Sequence, residues 1–120
     1  MPARLVVKLT WGVEAPERVS QALTVAATAA AADVEVSLWL TGDATYLATA
    51  GVLERVTLPH AGDLAELRDL ISTEGRVTVC SQCAARRDLT SADLLDGVRV
   101  AGTGAYLEEI LPVEATALVY

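Results

Sequence analysis

The sequence predicts an α/β fold in which a five-stranded, mainly parallel sheet carries helices on both faces. Short apolar runs rich in β-branched residues alternate along the whole chain with alanine- and leucine-rich segments, an alternation typical of parallel strands joined by crossover helices. Glycine, proline or aspartate separates most neighbouring segments, as turns require. The 120 residues, 52% of them hydrophobic, suffice for one core, and we expect a single domain over residues 1–120.

The first third of the chain predicts a strand, a helix and a second strand. Residues 5–9 form a compact, β-branched apolar run, as in a strand buried on both faces. Pro16 suits the first turn of a helix, and residues 17–32 continue it with apolar side chains at three- and four-residue spacing. Residues 34–40 alternate in polarity and predict the second strand.

Turns dominate the segment that follows the second strand. Thr41, Gly42 and Asp43 form a turn signal. Asp43 is the expected cap of a short, alanine-rich helical stretch over residues 44–50, because a carboxylate accepts hydrogen bonds from the first free N–H groups of a helix. Residues 52–58 are ambiguous, and we interpret them as a short extended piece.

A well-marked helix comes next in the sequence. Asp63 and Glu66 have the spacing of a capping box, in which each side chain accepts a hydrogen bond from the other residue's backbone. Gly75 ends the helix. Its predicted core-facing side chains are Leu64, Leu67, Leu70 and Ile71.

The last third of the chain predicts three strands and two helical segments. The final helix precedes Pro112 and should turn Leu107, Ile110 and Leu111 towards the core. In chain order the elements are strand 76–80, a loop that becomes a helix over 81–87, a turn over 91–95 capped by Ser91, strand 98–101, helix 105–111 and strand 115–120.

The charge balance argues against several classes of partner. Acidic residues outnumber basic ones by 16 to 9, for a net charge of −7, so we expect no binding to nucleic acid or to an anionic membrane surface. No stretch approaches the ~20 apolar residues of a membrane span, and the first apolar run is too short for a signal peptide. Two cysteines do not make a disulfide framework. We therefore expect a cytoplasmic protein with reduced thiols.

Cys80 and Cys83 are the candidate catalytic residues. Cys80 ends the predicted third strand and Cys83 follows three residues later, at the start of a helix. Unpaired N–H groups at a helix start lower the pKa of a thiol and favour the reactive thiolate. Arg86 and Arg87 are expected to stabilise that anion further. Cys80 is then suited to carry a persulfide, and Cys83 is within reach to resolve it by disulfide exchange.

Other roles for the two cysteines remain open. Free cysteines often pack as small hydrophobic residues, so the protein could be a non-catalytic binding module with structural thiols. Zinc would need about four ligands, and His60 is the only histidine, so a zinc site would require ligands from another subunit. We expect neither a metal nor a cofactor.

A small-molecule or nucleotide site is the third alternative. Ligands of open α/β sheets bind beyond the carboxyl ends of the strands, where Trp11, Gly42, Asp43, Gly102 and Thr103 would line a pocket. The turn over residues 102–104 contains two glycines but lacks the G-x-G-x-x-G pattern of dinucleotide sites. Trp11 fits either a cleft or a subunit contact.

The region around Cys80 resembles a known family. Cys80-Ser81-Gln82-Cys83-Ala84-Ala85-Arg86-Arg87, followed by Asp96-Gly97-Val98 and Gly102, is similar to the DsrE/DsrF-like (YchN-like) family of small sulfur-relay-type proteins. The order of elements agrees over nearly the whole chain. The chain has Asp88 at a position where the family often has glycine.

The resemblance implies a three-layer α/β/α sandwich and a function in sulfur handling. It implies that Cys80, six or seven residues before an arginine, carries a persulfide in sulfur relay, exchanged with sulfur donor and acceptor proteins. Cys83 corresponds to a second cysteine of some members only. It also implies a homotrimer or homohexamer. A mean hydropathy of +0.40 in so small a chain independently favours an apolar surface that another copy covers.

Overall fold

The computed structural model describes residues 3–120. It contains five strands and four α-helices within that range, and the strands form one all-parallel sheet flanked by helices, which confirms the predicted fold class. The elements are β1 (Arg4–Leu9), α1 (Pro16–Ala31), β2 (Glu35–Leu40), α2 (Leu64–Glu74), β3 (Arg76–Cys80), α3 (Ser81–Arg86), β4 (Arg99–Ala101), α4 (Thr103–Ile110) and β5 (Ala115–Val119).

The strand order determines which face each helix covers. The order across the sheet is β4-β3-β2-β1-β5, so the chain steps in one direction through β4 and then returns to the far side of β1. Because crossovers between parallel strands are right-handed, this reversal places α4 on the face opposite α1 and α2. In register, Lys8 of β1 lies beside Trp39 of β2, and Trp39 lies beside Thr78 of β3.

One face of the sheet forms the apolar core with α1 and α2. Alternate residues of the three central strands are fully buried there, and the alanines of α1 allow the helix to approach closely. Burying each such Val or Leu side chain contributes roughly 1.5–3 kcal/mol. The buried strand residues are Val7, Leu9, Val36, Leu38, Leu40, Val77 and Val79.

The opposite face carries mostly polar side chains, with Val6 and Trp39 as buried exceptions, and we call it the polar face. Its composition overturns the predicted orientation of the last helix. Leu107 and Leu111 are 45% and 74% exposed, whereas Glu109 is the buried residue of α4. Ile110 is half-buried. The prediction was wrong because it assumed an aliphatic layer beneath α4. The sheet presents hydrogen-bonding side chains there, and the helix turns its carboxylate towards them.

Glu109 anchors α4 to the sheet. Its carboxylate accepts hydrogen bonds from the Ser37 hydroxyl and from Trp39 Nε1 at 3.2 Å, and it forms an ion pair with Arg99. Burial opposes ionisation of this carboxyl, but those three donors outweigh it, so the pKa of Glu109 lies below its ordinary value.

The segments between the elements differ from the prediction in three places. Gly42–Ala48 forms a 3-10 helix whose N-cap is Thr41, not Asp43. A 3-10 turn, Leu53–Arg55, replaces the extended piece expected over 52–58. Thr90, not Ser91, caps the turn that follows α3, because its side chain and backbone both bond Asp93. The predicted cap of α2 is confirmed: the Glu66 N–H donates to Asp63 Oδ1 at 3.1 Å.

Asp88 occupies a position that suits glycine. Its φ of 55° lies in the left-handed region, which costs most residues about 1–2 kcal/mol. Aspartate tolerates this conformation better than most side chains. The turn after α3 is therefore made without the glycine that the family resemblance leads one to expect.

None of the helices within residues 3–120 combines the length and the apolar character needed to cross a lipid bilayer.

Candidate functional site

Cys80 lies at the carboxyl end of β3 and is the N-cap of α3. Its backbone is extended, with φ −64° and ψ 125°, and α3 begins at Ser81 with no intervening loop. The Cys80 side chain alternates with Val77 and Val79, so it lies on the polar face of the sheet. It is half-buried and forms no disulfide within residues 3–120. The Cys80 side chain is thus held by the sheet and faces away from the apolar core.

The surroundings of Cys80 favour its thiolate. Partial burial opposes ionisation, but the backbone N–H and the thiol of Cys83, the backbone N–H of Gln82 and the charge of Lys8 together lower the pKa of Cys80. A lower pKa raises the fraction of reactive thiolate near neutral pH.

A small cavity opens beside the Cys80 sulfur. Its volume is about 50 Å³, room for only a few atoms the size of water. Residues from β1, β2, the loop after β2 and α4 surround it, as expected for a site at the carboxyl ends of parallel strands. The lining residues are Lys8, Trp39, Thr41, Cys80, Thr103 and Tyr106.

Tyr106 forms the α4 side of this cavity. Its ring contacts Trp39 edge-to-face with centroids 5.3 Å apart, and the Lys8 ammonium lies 5.2 Å from its centroid. Burial, and secondarily the negative charge of Glu109, raises the pKa of Tyr106, so the phenol keeps its proton at neutral pH. Helix α4, which Glu109 holds against the sheet, therefore places the Tyr106 ring beside the cavity at Cys80.

Cys83 is buried behind Cys80 and bonded to the loop after β2. The Gly42 N–H donates to Cys83 Sγ at 3.2 Å. Gly42 has a φ of 54°, and a β-carbon there would lie 2.9 Å from the Thr10 carbonyl oxygen, so the position requires glycine. The Cys83 thiol is also among the groups that lower the pKa of Cys80, so the loop after β2 holds a residue that influences the sulfur site.

Arg87 contacts the same loop instead of the Cys80 sulfur. Its guanidinium bonds Asp43 Oδ1 at 2.8 Å and the Cys83 carbonyl at 3.1 Å. Asp43 therefore pairs with Arg87 and caps no helix. The pair is solvent-exposed on the Asp43 side and contributes about 0–1 kcal/mol. The side chain of Arg86 is exposed. Stabilisation of the anion by these two arginines stays a prediction.

The other residues of the predicted pocket are dispersed. Trp11 is 41% exposed and stacks under Arg18 at 4.7 Å, outside the cavity. Gly102 is the N-cap of α4, with Ser81 Oγ 3.5 Å from the point that a β-carbon would occupy. Of the five residues predicted for a ligand pocket, Thr103 alone lines the cavity.

Sequence reasoning missed Lys8, Trp39, Thr41 and Tyr106. A signal for Lys8 was present, because a charged residue interrupts an otherwise apolar strand and is the only lysine among nine basic residues. Nothing local marks Trp39 or Tyr106, since an aromatic residue in a strand or an amphipathic helix is ordinarily part of a core.

Metal-binding clusters are not found in the described part of the chain. No group of three or more His, Cys, Asp or Glu side chains within residues 3–120 is arranged to hold an ion. His60 is exposed on the loop before α2.

Comparisons with known proteins place the sequence and the fold. A model of the DsrE/DsrF-like family matches residues 4–112. No curated protein matches. The structure of the ychN protein from E. coli superposes with a TM-score of 0.70 at 14% identity, covering 100% of both chains. MTH1491 from Methanobacterium thermoautotrophicum, a protein of unknown function, superposes at 0.67 with 18% identity, over 98% of this chain and 99% of its own. At these identities the structural likeness concerns the fold.

Proposed function

This chain belongs to the DsrE/DsrF-like family, and from this premise we propose that it is a sulfur-handling protein in which Cys80 carries a persulfide. The observation that supports the proposal most is the placement of the Cys80 sulfur. It is half-buried, borders a cavity and is surrounded by N–H donors that lower its pKa. A structural cysteine would instead be expected among aliphatic side chains.

The proposed chemistry is thiolate attack on sulfane sulfur. The Cys80 thiolate attacks the outer sulfur of a donor persulfide, R–S–SH, forming Cys80–S–SH and releasing the donor as R–S⁻. Transfer onwards repeats the step: an acceptor thiolate takes the outer sulfur and the Cys80 thiolate is regenerated. Each transfer breaks one sulfur–sulfur bond and forms another, so neither needs an oxidant or a reductant.

Cys83 is proposed to resolve the persulfide. Cys83 follows Cys80 by three residues in the first turn of α3, and its thiol is among the groups that lower the pKa of Cys80. The Cys83 thiolate attacks the inner sulfur of Cys80–S–SH, a Cys80–Cys83 disulfide forms and sulfide leaves as HS⁻. The sulfane sulfur is reduced while the two thiols are oxidised. A dithiol reductant then restores both cysteines.

Association with further copies of the chain is proposed as well. Several large apolar side chains are exposed along β4, α4 and β5, and such surfaces commonly mark interfaces. A trimer or a hexamer would cover them, and light scattering that shows only a monomer would remove this proposal. The residues are Val100, Leu107, Leu111, Val113 and Val119.

Mass spectrometry of the native protein tests the proposed function. Early in an anaerobic incubation with glutathione persulfide, before Cys83 resolves the product, we expect one adduct of about 32 Da, a single sulfur atom, on Cys80 itself. The reason is that Cys80 combines access with thiolate character. An unmodified chain whose thiols react with iodoacetamide only after denaturation would contradict the proposal and favour structural cysteines in a binding module.

A further inference from the structure

We propose that Lys8 is the counter-ion of the sulfur site, and that it restricts the cavity to the terminal sulfur of a hydropersulfide. The inference rests on the proposed function and identifies the chemical class of donor that the site accepts. It is carried by the position of Lys8 in the fold, its lack of a carboxylate partner and the size of the space that it shares with Cys80.

Lys8 reaches the cavity from the centre of the sheet. It lies near the carboxyl end of β1, on the polar face, where its backbone neighbour in β2 is Trp39. Its ammonium lies over the Tyr106 ring, and both side chains line the cavity that Cys80 borders. The side chain is half-buried. The position of Lys8 on β1 and its contact with the Tyr106 ring therefore place the ammonium in the cavity that the Cys80 sulfur borders.

No carboxylate neutralises Lys8 among residues 3–120. The ion pairs found in this range involve arginines: Arg4, Arg68, Arg76, Arg87 and Arg99. A half-buried ammonium beside a thiol is best balanced by an anion formed in the cavity, since desolvation makes an isolated charge costly. A persulfide anion on Cys80 would supply that charge.

Among the residues that line the cavity at Cys80, Lys8 is the one with a positively charged side chain. The titratable groups that meet there are Lys8 from β1, Cys83 from α3 and Tyr106 from α4, and β2 with its following loop contributes the uncharged Trp39 and Thr41. The two nearby arginines are paired with carboxylates: Arg87 with Asp43, and Arg99 of β4, which lies 5.3 Å from the Trp39 ring, with Glu109.

The size of the cavity limits what can enter it. About 50 Å³ has room for only a few atoms, so the sulfane sulfur can enter while most of the donor stays outside. The sulfane sulfur is terminal in both a hydropersulfide and thiosulfate. In a hydropersulfide it is attached to a slim divalent sulfur, whereas in thiosulfate it is attached to a tetrahedral sulfonate whose three oxygens would have to fit at the mouth of the cavity. The compact ammonium of lysine also leaves room that the planar guanidinium of arginine would fill.

Three charge variants test the inference, with the fold of each checked by circular dichroism and thermal unfolding. Lys8→Gln removes the charge, Lys8→Arg retains it, and Arg18→Gln removes a matched cation that lies over Trp11, away from the cavity. Two readouts are measured: the rate of Cys80 alkylation by iodoacetamide against pH, and the rate of sulfur uptake from glutathione persulfide and from thiosulfate.

We expect Lys8→Gln to slow alkylation and persulfide uptake at pH 7 by about 3- to 10-fold and to move the alkylation midpoint to higher pH. Lys8→Arg should return the alkylation midpoint to near its native value while persulfide uptake stays slow, because the charge is kept but the guanidinium fills part of the cavity. Arg18→Gln should match the native protein, and thiosulfate should load none of them. A Lys8→Gln protein with the native midpoint and rates would overturn the inference, and so would loading by thiosulfate as fast as by the persulfide. If the native protein takes up no sulfur, the proposed function fails, and the alkylation profile still decides whether Lys8 acts on Cys80.

Discussion

Substitution of Cys80 by serine is expected to abolish sulfur uptake from a persulfide donor. We expect the initial rate to fall by at least about 100-fold, because the serine hydroxyl stays protonated at neutral pH and is not a comparable nucleophile. The substitution keeps the size of the side chain and alters one half-buried atom, so the fold should persist. The measurement is intact-protein mass spectrometry over a time course with glutathione persulfide.

Cys83→Ser is the matched control, because it alters a second thiol only three residues away. We expect this variant to gain a persulfide and to keep it, since no neighbouring thiol can release the sulfur as sulfide. The native protein should instead form the Cys80–Cys83 disulfide over time, with release of one sulfide per chain. If Cys80→Ser still took up sulfur and Cys83→Ser did not, Cys83 would be the sulfur carrier and the proposal for Cys80 would be contradicted.

Substitution of Glu109 by alanine should lower the free energy of unfolding by about 2–3 kcal/mol. The change leaves the Ser37 hydroxyl, the Trp39 indole N–H and the Arg99 guanidinium without their shared acceptor. Breaking a buried ion pair costs about 3–5 kcal/mol, and we expect somewhat less here because Arg99 is partly exposed and can be hydrated. Urea denaturation measures the difference. The control is Glu108→Ala on the same helix, where the side chain is exposed and the loss should stay near zero.

Acidic pH should destabilise the fold in part by protonating the Glu109 carboxylate. Because the pKa of Glu109 is lower in the folded protein than in the unfolded chain, its contribution to stability is fully present above about pH 4.3 and is lost as the pH falls through the lower, folded value. Glu109→Ala should therefore lose less stability than the native protein between neutral and acidic pH. Equal acid sensitivity of the two proteins, or a stability loss no larger than that of Glu108→Ala, would contradict the anchoring role of Glu109.

Much of the fold was predictable because its main signals are local. The apolar run of β1, the spaced alanines of α1 and the side-chain cap at Asp63 each identify an element without knowledge of the rest of the chain. The orientation of α4 was not predictable in this way. Leu107 and Leu111 satisfy a helical apolar stripe, and only the polar side chains of the facing strands, brought together by the strand order, show that Glu109 is the inward residue.

The candidate site was predictable in the part that is contiguous in sequence. Cys80 and Cys83 lie at a strand-to-helix junction, and that junction is visible in the pattern of residues 76–87. Lys8 and Tyr106 lie about 70 residues before and 25 residues after Cys80, and the parallel sheet with its return crossover makes them neighbours. The pairing of Asp43 with Arg87 could not be predicted either, because the two residues are far apart in sequence. A turn signal indicates the backbone conformation and not the partner of the side chain.

The pH dependence of Cys80 alkylation tests most directly whether the sheet presents an accessible sulfur in its anionic form. The measurement uses the folded Cys83→Ser variant, in which Cys80 is the one thiol that iodoacetamide can modify. The alkylation rate is followed from pH 5 to pH 10. We expect ready reaction without denaturant and a midpoint below about 8.5, the ordinary pKa of a cysteine, since the Gln82 and Cys83 N–H groups and Lys8 remain in place. A thiol that reacts only in denaturant, or with a midpoint above that value, would contradict a sulfur carrier at Cys80.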